Sequence, residues 1–227
     1  MEYLNYLSIL IPPVIALLIY LYLRTRKDKS SLRLLLRSFL WGMVSIVVVI
    51  LIQFLAAYYN LDKLSNLRRI IFYSLVIAAF FSELSKVFFL VVFCYPSKDF
   101  KSPLDGIIYS VMIAMGFATL NNIFSLVYIP GLTVNYINAL SSGPANIIFG
   151  GLMGFFIGLG KLRKLRRVDT LTGLAAAVFF HALYAFTLIT EDYKLLIAFF
   201  IGSVIIFVSL LVAAVRMDAD IKMNEQR

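Results

Sequence analysis

The sequence predicts an all-α fold, a polytopic transmembrane helix bundle of about seven spans. Hydrophobic residues make up 62% of the 227 residues and charged residues only 15%, a balance that is unusual for a water-soluble domain. The apolar residues also fall in runs close to the roughly 20 residues that a helix needs to cross a bilayer. The whole chain, residues 1–227, is therefore predicted to be a single integral membrane domain.

Seven apolar runs define the predicted spans. The first contains Pro12 and Pro13, which predict a kink because proline removes a backbone hydrogen-bond donor. The spans are 4–23, 38–59, 70–95, 107–129, 144–160, 170–189 and 195–215. The connections between them are short, so any functional site must be built inside the bundle or at its rims.

Positive charge sorts to one side of these spans when alternate loops are placed together. Sixteen of the 21 Lys and Arg residues fall near residues 24–37, 98–101 and 161–167 or in the tail after 215; four fall on the other side, and Lys86 lies inside a span. Cytoplasmic loops are the ones enriched in Lys and Arg, so we expect an outside N-terminus and a cytoplasmic C-terminus. The same clusters account for the net charge of +9 without nucleic acid, and the expected partner is the lipid bilayer.

The third span carries two charged residues, Glu83 and Lys86. Each would cost on the order of 3 kcal/mol if it faced lipid as an ion, so both are expected to face the protein interior or water. Their i, i+3 spacing places them on one helix face. Two interpretations stay open, a mutually neutralising structural pair and a functional polar site.

Polar residues also interrupt the later spans. Asn121 and Asn122 are adjacent in the fourth span, Asn146 lies near the start of the fifth, and His181 is central in the sixth. Such amides and a lone histidine can serve as hydrogen-bonding links between helices, and histidine is also a common metal ligand. Both interpretations stay open.

Two further motifs have local explanations. Asp105 follows Pro103 at a predicted turn and helix entry, where its charge is favourable near a helix N-terminus, although it is also a candidate supporting residue of a site. Gly150, Gly154 and Gly158 form a small-xxx-small face on the fifth span. Such a face lets another helix approach closely or supports a homo-oligomer.

Several of these segments occur in the order found in a known family. They are SELSK at 82–86, DGIIYS at 105–110, GFATLNN at 116–122, PAN at 144–146 with the glycines that follow, and HALY at 181–184. Together they resemble the PrsW family of intramembrane metalloproteases, which is related to the CAAX-protease and bacteriocin-immunity group. The resemblance covers residues 70–190, the predicted PrsW-like core, and implies a bacterial cytoplasmic membrane.

The resemblance also implies a site. The positions that match the family's catalytic residues are Glu83, His181, Asn121 and Asn146, with Glu83 and His181 as the metal ligands that remain. Lys86, Asp105 and Asn122 would support them. Three positions depart from the family pattern: Ser82 and Asn121 replace glutamates and Asn146 replaces a histidine.

These departures leave the activity open between three hypotheses. A catalytic zinc takes three protein ligands and a nearby base, so the first is a pseudoprotease that holds no cofactor and binds a transmembrane or juxtamembrane protein segment without cutting it. The second is a divergent active metallopeptidase that uses zinc to cleave membrane-anchored substrates. The third is a small transporter with a buried Glu/Lys/His site. Whether the chain is an enzyme is not decided by these residues.

Overall fold

The computed structural model describes residues 2–25, 29–128 and 136–225. Within these ranges the chain forms seven helices and no strand. The helices are α1 (Glu2–Arg24), α2 (Lys29–Tyr58), α3 (Leu67–Cys94), α4 (Pro103–Tyr128), α5 (Tyr136–Arg163), α6 (Arg166–Ile189) and α7 (Tyr193–Glu225). The predicted all-α helix bundle is confirmed.

Six of the seven helices, α2 to α7, are long and apolar enough to cross a membrane. The apolar part of α1 covers Ile9–Arg24 and is shorter. Helix α1 nevertheless continues through both Pro12 and Pro13. Tandem prolines can be accommodated where neighbouring groups meet the freed carbonyl oxygens.

The predicted start of the fifth span at Pro144 is wrong. Helix α5 begins at Tyr136, and Pro144 lies inside it. A proline removes one donor from a helix that is otherwise continuous, and surrounding helices support the freed carbonyl in a membrane. Asn146 consequently lies well inside the helix instead of near its start, at a depth that other helices can reach.

Helix α3 contains two segments of π-helix, which the sequence did not predict. They cover Tyr73–Phe80 and Leu90–Cys94 and flank a regular α-helical segment, Phe81–Phe89. A π-turn adds residues to the turn and so changes the direction of the side chains that follow it. Glu83 and Lys86 both lie in the regular segment, so their i, i+3 relationship is preserved.

Helices α4 and α5 form the centre of the bundle. Buried residues make up 72% and 78% of their apolar windows, against 17% in α7. The two helices approach closely at Gly106 and Gly154, because a Cβ atom on either glycine would overlap the carbonyl oxygen of the other. Gly150 and Gly158 also contact α4. The glycine face therefore allows close approach of another helix of the same chain, as one interpretation predicted. A homo-oligomer through this face remains a prediction.

The basic loops and the C-terminal part of α7 lie at one end of the bundle. Ser31 Oγ, at the start of α2, donates to Asp99 Oδ1 in the loop before α4 at 3.1 Å. Lys161 Nζ, near the end of α5, donates to the Tyr95 carbonyl at 2.6 Å. Ser102 Oγ donates to Asp218 Oδ1 of α7 at 2.8 Å. The predicted alternation of the loops is confirmed, and the cytoplasmic placement of this end remains a prediction from the positive-inside rule.

Candidate functional site

The centre of the candidate site is an ion pair on α3. Glu83 and Lys86 are 0% and 1% exposed, and Lys86 Nζ donates to Glu83 Oε1 at 2.6 Å. Each charge is removed from water, so each depends on the other for compensation. The sequence-based expectation that both residues face the interior is confirmed.

His181 of α6 joins this pair. Its Nδ1 atom lies 2.6 Å from Glu83 Oε1, and its ring stacks on Phe149 of α5 with a centroid distance of 4.7 Å. Lys86 and His181 therefore share one carboxylate oxygen. The other oxygen, Glu83 Oε2, is buried and has no hydrogen-bond partner among the residues that the structure describes. An unpaired buried carboxylate oxygen is rare in folded proteins.

Asn146 of α5 completes the surroundings of Lys86. Its Oδ1 atom accepts a hydrogen bond from Lys86 Nζ at 3.2 Å, and its Nδ2 atom donates to the Ser142 carbonyl at 2.9 Å. The Lys86 ammonium also lies 4.7 Å from the centroid of the Phe117 ring of α4, a cation–π distance. Residues from α3, α4 and α5 thus hold this single cation.

Asn122, not Asn121, extends the network. Asn122 Nδ2 donates to Ser142 Oγ at 3.2 Å, one turn before Asn146 on α5. The Asn121 side chain is half-buried, and no hydrogen bond joins it to Glu83, Lys86 or His181 within the described ranges. Adjacent helical residues point about 100° apart, so only one of the two amides can face α5 directly. The expectation that Asn121 converges with the charged residues is not met by any contact.

Asp105 lies in the first turn of α4. Its Oδ2 atom accepts from the Ser102 backbone N–H at 3.3 Å, while Ser102 Oγ accepts from the Asp105 N–H at 3.3 Å. This reciprocal arrangement is a capping box, with Pro103 at the first helical position. Twelve residues, about 18 Å of helix, separate Asp105 from Phe117. The capping interpretation of Asp105 therefore accounts for these two contacts.

Sequence reasoning missed three residues of the site. Ser142, Phe117 and Phe149 surround the cluster, and all are at least nine-tenths buried. Phe149 lies three residues after Asn146 and Ser142 four before it, so helical periodicity could have placed them on the face of Asn146. Ser82 instead bonds its own helix, since its Oγ donates to the Ala78 carbonyl at 2.6 Å.

A model of one protein family covers most of the chain. The family described as PrsW family intramembrane metalloprotease matches residues 30–214. The chain belongs to the PrsW family. The match extends beyond the predicted core of 70–190 on both sides, and the resemblance stated from the motifs is confirmed.

Curated relatives of the PrsW family agree with this assignment. Protease PrsW of Bacillus subtilis is 33% identical over 180 residues, 78% of this chain and 80% of the relative. Protease PrsW of Geobacillus kaustophilus is 30% identical over 183 residues, 80% and 79% of the two chains. No solved structure gives a significant match. The predicted integral membrane location is confirmed, and a bacterial cytoplasmic membrane fits these bacterial relatives.

The family description names a metalloprotease, which implies a metal site with several protein ligands. A catalytic zinc takes three protein ligands drawn from His, Cys, Asp and Glu. No group of three such residues is close enough to hold a metal in the described part of the chain. Glu83 and His181 are the two that meet, and their facing atoms are already hydrogen-bonded to each other. These residues do not fit a three-ligand zinc site.

Proposed function

We propose that this membrane protein is a non-catalytic member of the PrsW family that binds a transmembrane or juxtamembrane segment of another protein without cutting it. The observation that carries the proposal is the incomplete set of metal ligands. Glu83 and His181 meet, but no third His, Cys, Asp or Glu joins them within the described residues, and Asn146 stands where the family pattern has a histidine. The family relationship is thus kept while the groups needed for hydrolysis are replaced.

The loss of hydrolysis follows from the chemistry of the replaced groups. A general base must be free to take a proton from water; Glu83 Oε1 is shared by Lys86 and His181, and only Oε2 is unpaired within the described residues. Asn121 and Asn146 carry amides in place of a carboxylate and an imidazole. An amide neither takes a proton at neutral pH nor binds zinc as an imidazole does.

Retention of the polar cluster supports a binding role. Charged groups inside a membrane bundle are costly, and they commonly mark a place where something is bound or moved. His181 is 14% exposed, whereas Glu83, Lys86 and Asn146 are 0%, 1% and 7% exposed. An approaching helix therefore meets the imidazole first. Polar side chains of membrane helices associate through such hydrogen bonds.

A divergent active peptidase is the second candidate function. Two observations favour it: the curated relatives are named proteases, and Glu83 Oε2 has no partner within the described residues. An active peptidase would need at least one zinc ligand from outside this cluster, since Glu83 and His181 supply only two. One cross-linking experiment distinguishes the two candidate functions.

The test places the photoreactive residue p-benzoylphenylalanine at Phe180, half-buried and next to His181. The matched control carries it at Phe54, an aromatic residue of α2 that is 67% exposed to the membrane side. We expect an adduct at position 180 and none at 54, with the captured protein intact on both sides of its membrane segment. Absence of an adduct would contradict the binding role, and a captured chain that ends within its membrane segment would establish the peptidase.

A further inference from the structure

We propose that the turn between α5 and α6 binds the phosphate headgroup of an anionic phospholipid. The turn is short, since α5 ends at Arg163 and α6 begins at Arg166. His181 lies fifteen residues after Arg166, about 22 Å further along the helix. Lipid binding at this turn is therefore independent of the proposed binding of a membrane segment. Five of the seven residues from 161 to 167 are basic, namely Lys161, Arg163, Lys164, Arg166 and Arg167.

Two of the five cations are held by the end of α3. Lys161 Nζ donates to the Tyr95 carbonyl at 2.6 Å, and the Arg166 guanidinium donates to the Val91 carbonyl at 3.3 Å. Both cations also lie over the Tyr95 ring, at 4.8 and 4.7 Å from its centroid. The last carbonyls of a helix carry partial negative charge, so these two cations are compensated inside the protein. Their contacts hold the turn against α3.

The other three cations have no such compensation. Arg163, Lys164 and Arg167 are exposed, and none of them forms a hydrogen bond or an ion pair with a residue that the structure describes. The chain reverses at Lys164, whose φ is 59°, so the three residues lie at the same end of the bundle. The acidic residue that follows them, Asp169, is buried and pairs with none of them. The three charges are open to an anion from outside the chain.

Apolar side chains share the turn with these cations. Leu162, Leu165 and Val168 are 40%, 53% and 61% exposed. Exposed aliphatic side chains are favourable in contact with acyl chains, whereas charged groups remain in the headgroup layer. A turn that presents both kinds of side chain fits the boundary between these two layers. It therefore fits a phospholipid better than a water-soluble anion.

The types of the three exposed cations suit a phosphodiester. Two of them are arginines, whose planar guanidinium groups bind phosphate oxygens through two parallel hydrogen bonds. Basic residues beside a membrane helix also attract anionic lipids electrostatically. A zwitterionic phospholipid carries a cation on the same headgroup, which weakens this attraction. We therefore expect selectivity for an anionic headgroup.

The experiment measures lipid binding by the purified full-length protein in a neutral detergent, by native mass spectrometry. The probes are dioleoylphosphatidylglycerol, which is anionic, and dioleoylphosphatidylcholine, which is zwitterionic and has the same acyl chains. A third arm adds inorganic phosphate as a competitor. The test variant removes the three exposed charges of the turn and is Arg163→Gln/Lys164→Gln/Arg167→Gln.

The matched control removes three other exposed charges from the same predicted side of the membrane. It is Arg33→Gln/Arg37→Gln/Lys98→Gln. Both variants lose three positive charges, so they differ only in where the charges lie. The thermal unfolding temperature of each variant is compared with that of the wild type to show that it is folded.

We expect the wild type to bind the phosphatidylglycerol at least about tenfold more tightly than the phosphatidylcholine. This preference should fall as salt is added, because salt screens exposed charges. The test variant should lose most of the preference, and the control variant should keep it.

Three results would overturn the proposal. Equal affinity of the wild type for the two lipids would do so without any variant. Equal loss of the preference in both variants would show that the total charge matters and not this turn. Displacement of the phosphatidylglycerol by an equal concentration of inorganic phosphate would show a site for a free anion instead of a lipid.

Discussion

The Nδ1 atom of His181 lies 2.6 Å from Glu83 Oε1, although the two residues are 98 positions apart in the chain. This contact joins α6 to α3 at the depth where Lys86 and Asn146 also meet. It makes Glu83 the shared partner of a cation and an imidazole from different parts of the sequence. Changes at Glu83 therefore test the whole cluster.

Glu83→Gln is expected to lower the free energy of unfolding by about 3–5 kcal/mol, because it leaves the buried Lys86 ammonium without its counter-charge. The measurement is reversible unfolding in mixed micelles. The matched control is Glu191→Gln, which removes an exposed carboxylate in the turn after α6 and should change stability by less than about 0.5 kcal/mol. Equal effects of the two changes would contradict the buried ion pair.

The double variant Glu83→Gln/Lys86→Met is expected to be more stable than Glu83→Gln alone. Replacement of both members of a buried pair removes both desolvation costs, and such replacements are often neutral or stabilising. A double-mutant cycle with Lys86→Met measures the coupling, which should exceed about 1 kcal/mol for residues in contact. Additive effects would show that the two side chains do not interact in the membrane.

Gly154→Ala is expected to destabilise the protein by about 1–3 kcal/mol, since its new Cβ atom would overlap the Gly106 carbonyl oxygen and overpacking costs this much. Gly202→Ala is the control, because no atom lies within 4 Å of a Cβ atom built there. Thermal unfolding of the two variants in the same detergent gives the comparison. If Gly154→Ala is as stable as Gly202→Ala, α4 and α5 do not pack as described.

Asp105→Ala is expected to cost about 1 kcal/mol through loss of the cap on α4 and to leave cross-linking at position 180 unchanged. Its contacts with Ser102 lie at the helix start, far from His181. The free energy of unfolding and the adduct yield are measured on the same preparation. Loss of the adduct in a folded Asp105→Ala protein would make Asp105 part of the binding site.

Much of the fold could be predicted because membrane helices follow two strong rules. A span needs a long apolar run, and cytoplasmic loops collect Lys and Arg. The cost of charge in lipid similarly placed Glu83 and Lys86 in the interior. Each of these features can be read from the order of apolar and charged residues along the chain.

The rest depends on direction and on contacts between helices. The π-helical turns of α3 and the passage of α5 through Pro144 alter which way side chains point, and neither follows from an apolar run. The choice of Asn122 over Asn121 is a matter of about 100° of rotation. Ser142 links two amides: its Oγ accepts from Asn122 of α4, and its carbonyl accepts from Asn146 of α5. The contact with Asn122 depends on how α4 and α5 pack, which an apolar run does not specify.

A site that binds a membrane segment without cutting it leaves the N-termini of other membrane proteins unchanged. These N-termini are compared by mass spectrometry in cells that carry the wild type, Glu83→Ala, His181→Ala or Lys161→Met. The last variant is the control, because Lys161 lies in the last turn of α5 and bonds the Tyr95 carbonyl. We expect the same N-termini in all four. An N-terminus within or beside a membrane segment that is present with the wild type and Lys161→Met, and lost with both Glu83→Ala and His181→Ala, would show that the protein is a peptidase.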